Sequence, residues 1–288
     1  MNKISVFGAG GFVGNNFCTM FPNKTIKMNR ESLVSCTPEL IWLISTTDNY
    51  NVFSNVHLDI DTNLSLFVDA LESSKKFYGN SLVVNLVSSW FVYSDKEIPA
   101  LESSCCNPKG FYGSTALCRE NLLISYCNTF GMSYRIFRLA NVLGIGDNKI
   151  SKKKNALQFF VREIVNNRPV ELYYPDRTVR DYISVDDVCS AINLIISFDK
   201  TKNHIYNIGN EVPIKFKDCI DYVVHRTGNN PVKEVERSEF HKAVQIDTMY
   251  LNNSKIKNLG YKQTKIIWQI LDELIDYYTE EKKWAKIM

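Results

Sequence analysis

Apolar runs alternate with segments of helical periodicity along the first two-thirds of the chain. The apolar runs predict strands at residues 4–7, 25–28, 40–44, 82–87, 133–138 and 205–208. The segments between and after them predict helices at residues 12–20, 63–74, 115–130, 157–166, 185–196 and 217–227. Apolar strands that alternate with helices indicate an α/β fold, in which helices cover both faces of a doubly wound parallel sheet.

The pattern becomes less regular from about residue 145 onward, where Pro169, Pro175 and Pro213 interrupt it. A final amphipathic run at residues 266–278 predicts a helix, which we assign to a smaller C-terminal lobe. The segment between the second and third predicted strands is short. We therefore expect the usual third crossover of a doubly wound sheet to be missing.

The first predicted strand runs directly into a loop with glycines at positions 8, 10, 11 and 14. Gly8 suits a sharp turn, Gly11 the close approach of the backbone to a phosphate, and Gly14 the packing of a helix on a strand. Because the loop lies between a strand and a helix, it predicts a dinucleotide site that includes Phe12 and Val13. A purely structural glycine turn is the alternative.

Composition argues against several classes of protein. The 288 residues are 45% hydrophobic and 23% charged, as in ordinary globular proteins, and a net charge of +3 argues against nucleic-acid binding. No apolar stretch approaches the ~20 residues that span a bilayer, and the N-terminus does not resemble a signal peptide. We therefore expect a cytoplasmic protein with no membrane partner. The eight cysteines show no zinc-ligand spacing and the four histidines are scattered, so no metal site is predicted.

One short basic run stands out at residues 152–154, which are all lysine. Polar residues flank it, so it predicts a solvated loop. A phosphate-binding patch is the alternative.

Four further segments occur in the order expected for one family. They read LVSSWFVYSD at residues 86–95, YGSTALCRE at 112–120, RLANVLGIG at 138–146 and RDYISVDDV at 180–188. Together they resemble the extended short-chain dehydrogenases/reductases, in the branch of nucleotide-sugar epimerases, dehydratases and reductases. The resemblance covers essentially the whole chain. It implies a Rossmann-like dinucleotide-binding domain at residues 1–144 and 180–208, and a nucleotide-sugar-binding lobe at residues 145–179 and 209–288.

The resemblance assigns the acid–base chemistry to Tyr112, with Ser89 as its hydroxyl partner. In this family the tyrosine exchanges a proton with the sugar while a hydride moves to or from the nicotinamide. Ser45 and Ser88 are expected to lie against the cofactor, together with Tyr112 and the glycine loop. Tyr261 also has a lysine four residues later, but we expect it in the C-terminal lobe, far from the sheet.

One position departs from the family pattern in a way that affects this chemistry. The family has a lysine four residues after the tyrosine, which binds the cofactor ribose and lowers the pKa of the phenol from ~10. Here that position is Ala116. Lys109 and Arg119 are the candidates for a substitute charge. Otherwise Tyr112 relies on the oxidised nicotinamide, or the activity is weakened or lost.

Two aromatic residues, Trp90 and Phe91, stand where the family dehydratases have adjacent aspartate and glutamate. Neither aromatic side chain exchanges protons, which argues against 4,6-elimination. We expect Trp90 and its neighbour to line a pocket for the methyl group of a 6-deoxy sugar. Ordinary core packing of the pair is the alternative.

Cofactor choice depends on the end of the second strand. Asn29 and Arg30 favour NADP(H) over NAD(H), because an arginine there accommodates the 2′-phosphate. Glu31 is the competing signal, since an acidic residue at this place binds the ribose of NAD.

Two residues are expected to bind the nucleotide sugar. The resemblance implies that Asn141 lies near the phosphates and that Arg180 binds the diphosphate, for which a planar guanidinium is well suited. An ion pair of Arg180 with Asp181 or Asp186 is the alternative.

These features favour the reduction of a keto sugar, such as a 4-keto-6-deoxy nucleoside-diphosphate sugar, by NADPH with Tyr112 as proton donor. A reductase needs one proton donation per turnover, whereas an epimerase must remove a proton and return it. The resemblance implies a role in the synthesis of surface-glycan precursors. C4 epimerisation is the first alternative, and a non-catalytic NAD(P)-binding sensor or structural protein is the second. The resemblance also implies a homodimer that forms through the Tyr112 helix and its neighbour.

Overall fold

Six parallel strands form the central sheet of the molecule. The computed structural model describes residues 3–29, 31–47, 49–174 and 176–284. In chain order its strands are β1 (Ile4–Phe7), β2 (Thr25–Lys27), β3 (Glu39–Trp42), β4 (Val83–Ser89), β5 (Ser133–Leu139), β6 (Asn141–Leu143), β7 (Val170–Tyr173), β8 (Val179–Arg180), β9 (Tyr182–Ser184), β10 (His204–Ile208), β11 (Ile214–Lys215), β12 (Val232–Val235) and β13 (Thr248–Met249). The central sheet has the order β2–β1–β3–β4–β5–β10, and all of its pairs are parallel.

Helices cover both faces of this sheet. They are α1 (Phe12–Met20), α2 (His57–Ile60), α3 (Leu66–Tyr78), α4 (Phe111–Phe130), α5 (Ala156–Val165), α6 (Val185–Ile196), α7 (Phe216–Thr227), α8 (Glu239–Val244), α9 (Ser254–Lys257) and α10 (Ile267–Trp284). On one face α1 and α6 pack against Ile41, and on the other α3 and α4 pack against Trp42. Successive side chains of a strand point to opposite faces, which is why these neighbours in β3 belong to different cores. The predicted α/β fold, Rossmann-like and doubly wound, is confirmed.

The six strands predicted from the sequence are the six strands of this sheet, and their ends differ by at most two residues. Within the described residues β2 is the edge strand of the sheet. The third crossover, which would add a further strand beyond β2, is therefore missing among those residues, as the short segment between the second and third strands predicts. Three helices differ more. The last of them, predicted at 266–278, continues to Trp284 as α10. The predicted helix at 63–74 is the middle of a continuous helical segment, in which a π-helical turn at Asp61–Ser65 joins α2 to α3. Helix α4 begins at Phe111 rather than at 115, so Tyr112 lies in its first turn.

The second part of the chain surrounds an apolar core of its own. Helices α5, α7 and α10 pack together there around Leu157, Ile220 and Leu271. The strands of this part form the small sheets β11–β8–β13, β12–β7 and β6–β9. The sequence did not predict them, because they are short and lack the continuous apolar runs that mark the strands of the central sheet. The division into a domain at 1–144 and 180–208 and a lobe at 145–179 and 209–288 stays a prediction. Among the described residues, every helix is too short or too polar to cross a bilayer.

Candidate active site

The glycine loop joins β1 to α1. Gly8 has a φ of 83°, and its carbonyl oxygen accepts the Gly11 N–H over 2.9 Å. A Cβ on Gly14 would lie 2.3 Å from that same oxygen, so α1 packs this closely on the loop only because residue 14 has no side chain. No side chain caps the first N–H groups of α1. Those groups remain available to an anion such as a phosphate.

A cleft of about 430 Å³ opens where the loop meets the carboxyl ends of the central strands. The start of α4 and the segment after β5 complete its walls. The residues predicted from the sequence that line it are Gly8, Gly11, Phe12, Val13, Gly14, Ser45, Ser88, Ser89, Trp90, Tyr112 and Asn141. Ligands of doubly wound sheets bind at this edge, outside the carboxyl ends of the strands. The ligand-binding role of each residue stays a prediction.

Tyr112 lies in the first turn of α4 and is buried. It lines the cleft together with Ser89, at the end of β4, and Ser45, in the loop after β3. Burial raises the pKa of the Tyr112 phenol, while the positive charge of Arg119 and the two neighbouring serine hydroxyls lower it. These opposing effects suit a proton donor whose conjugate base is stabilised by its neighbours.

The position expected to hold a lysine lies in the core. Ala116, one helical turn after Tyr112, is completely buried. Of the two candidate substitutes, Lys109 precedes α4 and forms a partly exposed ion pair with Asp95. Arg119 is buried, and its guanidinium donates to two backbone carbonyls, one in the loop after β3 and one in β4. The structure therefore places Arg119, and not Lys109, beneath the cleft.

Trp90 and Phe91 form a short 3₁₀ turn directly after β4 and stack with ring centroids 3.9 Å apart. Phe91 also meets the ring of Tyr112 edge-on at 5.7 Å. Trp90 is buried, yet both rings line the cleft and also a second cavity beside it. The pair combines core packing with an apolar wall at the junction of the two cavities.

The second cavity has a volume of about 170 Å³ and extends from the cleft toward the C-terminal part of the chain. The three lysines at 152–154 line it, so the basic run faces a cavity. Lys154 also lines the cleft, and it pairs there with Asp147 at 3.1 Å. Burial lowers the pKa of His241, which lines the second cavity, to about 4, so this imidazole is neutral near pH 7.

Arg180 also lines the second cavity, but its donors are engaged. The guanidinium donates to the backbone carbonyls of residues 179, 246 and 247 over 2.6–3.0 Å, and it lies 5.0 Å from the centre of the Trp90 ring. Arg180 therefore contacts carbonyl groups rather than forming the ion pair with Asp181 or Asp186 that was the alternative from the sequence. Asp186 pairs with Lys265, and Asp181 accepts backbone N–H groups. Diphosphate binding by Arg180 stays a prediction.

Two other predicted residues use their polar groups inside the protein. Ser88 donates to the buried carboxylate of Glu120, which in turn accepts N–H bonds of 2.7–3.2 Å from Arg138. The side-chain amide of Asn141 donates to the carbonyl oxygen of Asp181 over 3.0 Å. Both residues line the cleft, but these internal bonds shape its walls.

A third cavity, of about 330 Å³, lies on the other side of the glycine loop. The loop forms one wall, and Asn29, Ser32 and Leu66 contribute to the others. Arg30, which the sequence predicts to select NADP(H), lies outside the described residues. The structure thus positions the end of the second strand but not the side chain on which the cofactor prediction depends.

Sequence analysis missed Asn63, a completely buried residue in the π-helical turn. Its carboxamide accepts the N–H of Thr46 over 3.0 Å and donates to the hydroxyls of Thr46 and Thr115 over 2.8 and 3.0 Å. The Ser45 hydroxyl lies 3.0 Å from its Oδ1. Asn63 therefore holds the loop after β3 against α4 and fixes Ser45 beside Tyr112. An isolated asparagine in an amphipathic stretch carries no signal for this role.

Comparison with known proteins identifies the family of this fold and cleft. The profile described as "NAD dependent epimerase/dehydratase family" matches residues 43–209, more than half of the chain. The chain belongs to this family. Its resemblance to nucleotide-sugar epimerases, dehydratases and reductases is thereby confirmed.

Individual members of the epimerase/dehydratase family extend the likeness over nearly the whole chain. Protein CapI of Staphylococcus aureus is 21% identical over 243 residues, which are 78% of this chain and 70% of that protein. The dTDP-4-dehydro-6-deoxyglucose reductase of Escherichia coli is 19% identical and covers 95% of this chain and 96% of its own. The crystal structure of the UDP-glucose 4-epimerase of Thermotoga maritima with UDP-glucose has a TM-score of 0.84 and 21% identity, covering 98% of this chain and 100% of that one.

Other solved structures with the same fold hold NAD or NADPH. The prediction of an NAD(P)-dependent nucleotide-sugar enzyme is confirmed by the family match and these relatives. A nicotinamide cofactor follows for this epimerase/dehydratase family enzyme.

Proposed function

We propose that this enzyme uses NADPH to reduce a keto nucleoside-diphosphate sugar, of the 4-keto-6-deoxy class, in the synthesis of surface-glycan precursors. The observation that carries the proposal is the setting of Tyr112, which lines the cleft beside the glycine loop together with Ser89. The residues that follow Ser89 are Trp90 and Phe91, which supply no second proton carrier for an elimination. One proton donor suffices for a reduction.

The cleft fits a dinucleotide. The loop leaves no room for a Cβ at Gly14, and uncapped N–H groups of α1 face the place where a pyrophosphate binds in such folds. When bound, NADPH supplies a hydride to the carbonyl carbon of the sugar. Tyr112 donates its phenolic proton to the carbonyl oxygen as that oxygen gains the electron pair, while Ser89 aligns the two groups. Solvent then returns a proton to Tyr112.

The second cavity supports a nucleoside-diphosphate sugar as substrate. Lysines at 152–154 line it, of which Lys152 pairs with Glu171 and Lys154 with Asp147, and the charge of an ammonium group matches that of a diphosphate. Trp90 and Phe91 form an apolar wall at its junction with the cleft, where a methyl group at C6 loses nothing by lacking a hydrogen bond. Asn141 lines both cavities at this junction. A reductase of a dTDP-4-dehydro-6-deoxy sugar and a structure with bound UDP-glucose, both similar to this chain, support the same class.

Two finer features complete the proposal. Arg30, at the end of the second strand, selects NADP(H) over NAD(H) by accommodating the 2′-phosphate. The enzyme forms a homodimer through α4, on which Leu122 and Phe130 are exposed.

The test mixes the purified protein with NADPH, and separately with NADH, across a panel of 4-keto-6-deoxy nucleotide sugars. We expect one NADPH to be oxidised per sugar reduced, with a higher kcat/KM for NADPH than for NADH. Tyr112→Phe should lower kcat by at least about 100-fold, because it removes the proton donor, while NADP⁺ still binds. Tyr261→Phe is the matched control, since Tyr261 is also buried and followed by a lysine at the same spacing but does not line the cleft; it should keep full activity.

The other outcomes are informative. A change of configuration at C4 without net NADPH consumption, detected by NMR of the product, would make the enzyme an epimerase and refute the reductase proposal. No product of either kind, with no rise in melting temperature on adding any nucleoside diphosphate, would favour a sensor or structural role.

A further inference from the structure

Arg119 is the least expected side chain beneath the cleft. It lies two turns after Tyr112 on α4, and only 1% of it is exposed. Its guanidinium donates to the carbonyl oxygen of Ile44 over 2.9 Å and to that of Val87 over 3.3 Å. Ile44 lies in the loop after β3 and Val87 lies in β4, where it lines the cleft.

The charge of Arg119 is not balanced by an ion pair with any described residue. Within the described part of the chain no carboxylate forms an ion pair with it, and its Nε–H has no hydrogen-bond partner. Of the other buried arginines among the described residues, Arg135 pairs with Glu39 at 2.9 Å and Arg138 with Glu120 at 2.7 Å, whereas Arg180, like Arg119, donates to backbone carbonyls. An uncompensated buried charge costs several kcal/mol. Packing alone is a poor reason to keep a guanidinium there, whereas a developing negative charge nearby is a good one.

The nearest group that develops such a charge is the phenol of Tyr112. Ser45 connects the two residues, because its hydroxyl lies 3.5 Å from Nη2 of Arg119 and Ser45 lines the cleft together with Tyr112, whose pKa it lowers. The Arg119 charge lowers the pKa of Tyr112 against the effect of burial, and Asp59 of α2 raises it. The remaining buried carboxylate near this part of α4, Glu120, is neutralised by Arg138.

We propose that Arg119 is a positioning residue that stabilises the phenolate of Tyr112, directly through its charge and indirectly through Ser45. It thereby supplies the positive charge that Ala116, one turn from Tyr112, does not. The inference rests on the proposed function, in which Tyr112 donates a proton and becomes negative. It predicts that the charge can be moved along α4 from residue 119 to residue 116, since residue 116 lies one helical turn from Tyr112 on the same face of the helix.

The experiment compares Arg119→Met, Arg119→Gln and the double variant Ala116→Lys/Arg119→Met in the full-length protein with NADP⁺ bound. The ionisation of Tyr112 is read from phenolate absorbance, as the difference between each protein and the same protein carrying Tyr112→Phe. With Met or Gln at 119 we expect Tyr112 to ionise at least about one pH unit higher than in the wild type. The double variant should return the ionisation to within about half a pH unit of the wild type.

Turnover is the second readout. Each neutral variant should lose at least about 10-fold in kcat, with KM changed less than threefold, and the alkaline limb of the pH–rate profile should move upward with the ionisation of Tyr112. Arg135→Met is the control, because it removes another buried arginine, which lies near the start of β5, at the end of the strand away from the cleft. It should lower the melting temperature without moving the Tyr112 titration.

The proposal is overturned if Tyr112 ionises at the wild-type pH in either neutral variant that keeps a cooperative thermal transition. Arg119→Gln retains hydrogen-bond donors for Ile44 and Val87, so it serves if the methionine variant does not fold. If both neutral variants fail to fold, a double variant that folds but titrates unlike the wild type also overturns it. Absence of turnover with every sugar would refute the proposed function alone, since the titration of Tyr112 does not depend on a substrate.

Discussion

Glycine at position 14 shows how a single missing side chain shapes this site. The carbonyl oxygen of Gly8 occupies the place where a Cβ of residue 14 would lie. Helix α1 therefore approaches the loop closely, and its N–H groups reach the floor of the cleft. At Gly10, by contrast, an added Cβ would meet no atom within 4 Å. Two glycines of one motif thus differ in the reason for their presence.

This difference predicts the effects of two alanine substitutions. Gly14→Ala should lower the free energy of unfolding by about 1–3 kcal/mol, because α1 must move away from the backbone of Gly8. It should also weaken binding of NADP⁺. Gly10→Ala should change the stability by less than about 0.5 kcal/mol, since its Cβ enters open space. Urea unfolding of the cofactor-free proteins measures both values, and equal losses would show that the close packing at residue 14 is not limiting.

At the scale of elements, α4 matters most, because it presents Tyr112 to the cleft from its first turn. Apolar residues such as Leu123 and Cys127 fix one side of the helix to the sheet. Midway along α4, Glu120 accepts hydrogen bonds from Ser88 of β4 and Arg138 of β5. The orientation of the helix therefore depends on a buried ionic contact with the two strands that end at the cleft.

The ionic contact between Glu120 and Arg138 predicts a large loss of stability from a substitution that barely changes the shape of the side chain. Glu120→Gln should lower the free energy of unfolding by about 3–5 kcal/mol, because the guanidinium of Arg138 is left buried without its carboxylate. Asp221→Asn is the control: it breaks an exposed pair with Lys217 on α7 and should cost less than about 0.5 kcal/mol. Urea unfolding compares the two. Similar small losses would mean that the sheet and α4 hold together through their apolar contacts alone.

At the scale of the whole molecule, Asp181 connects distant parts of the chain. Its buried carboxylate accepts backbone N–H groups from Asn210, Glu211 and Leu251 over 2.9–3.4 Å. These residues follow β10 and β13, so one side chain between β8 and β9 organises segments that are far apart in sequence. Gly209 leaves room for it, since a Cβ there would lie 2.3 Å from the carboxylate.

Asp181 also predicts how the stability depends on pH. Burial raises the pKa of Asp181 to about 7, while the three N–H groups lower it. Between ~3.9, the pKa of an unfolded aspartate, and about 7 the native state therefore binds a proton that the unfolded chain has released. This contribution is complete below the lower pKa and is lost as the pH rises through the upper one.

The measurement is the free energy of unfolding of the wild type minus that of Asp181→Asn, obtained in urea at a series of pH values. We expect this difference to fall from about pH 4 to about pH 7, by roughly 4 kcal/mol at most, and then to remain constant. A difference that rises with pH would show that the backbone N–H groups keep the carboxylate ionised in the native protein.

Much of the fold could be predicted because its signals are local. The strand at 4–7, the helix at 12–20 and the helix at 185–196 have the predicted bounds. The short strands after residue 140 could not be predicted, since they exist only through pairing with segments distant in sequence. The start of α4 was placed too late because Gly113 and Ser114, weak helix formers, follow Tyr112 directly. The first turn of a helix tolerates such residues when the following turns are packed.

The sequence by itself determined the family, the parallel sheet, the glycine loop and the residues that meet at the cleft. Each of these follows from a short motif or from the local periodicity of apolar residues. It also showed that residue 116 is not a lysine. Only the tertiary structure decided that Lys109 pairs with Asp95, while Arg119 lies beneath the cleft and forms no ion pair with a described residue. The same holds for Asn63, which fixes Ser45 beside Tyr112. Folding brings distant segments together, and these segments decide whether a side chain is buried and which counter-ion it meets. Neither property can be read from the position of a residue along the chain.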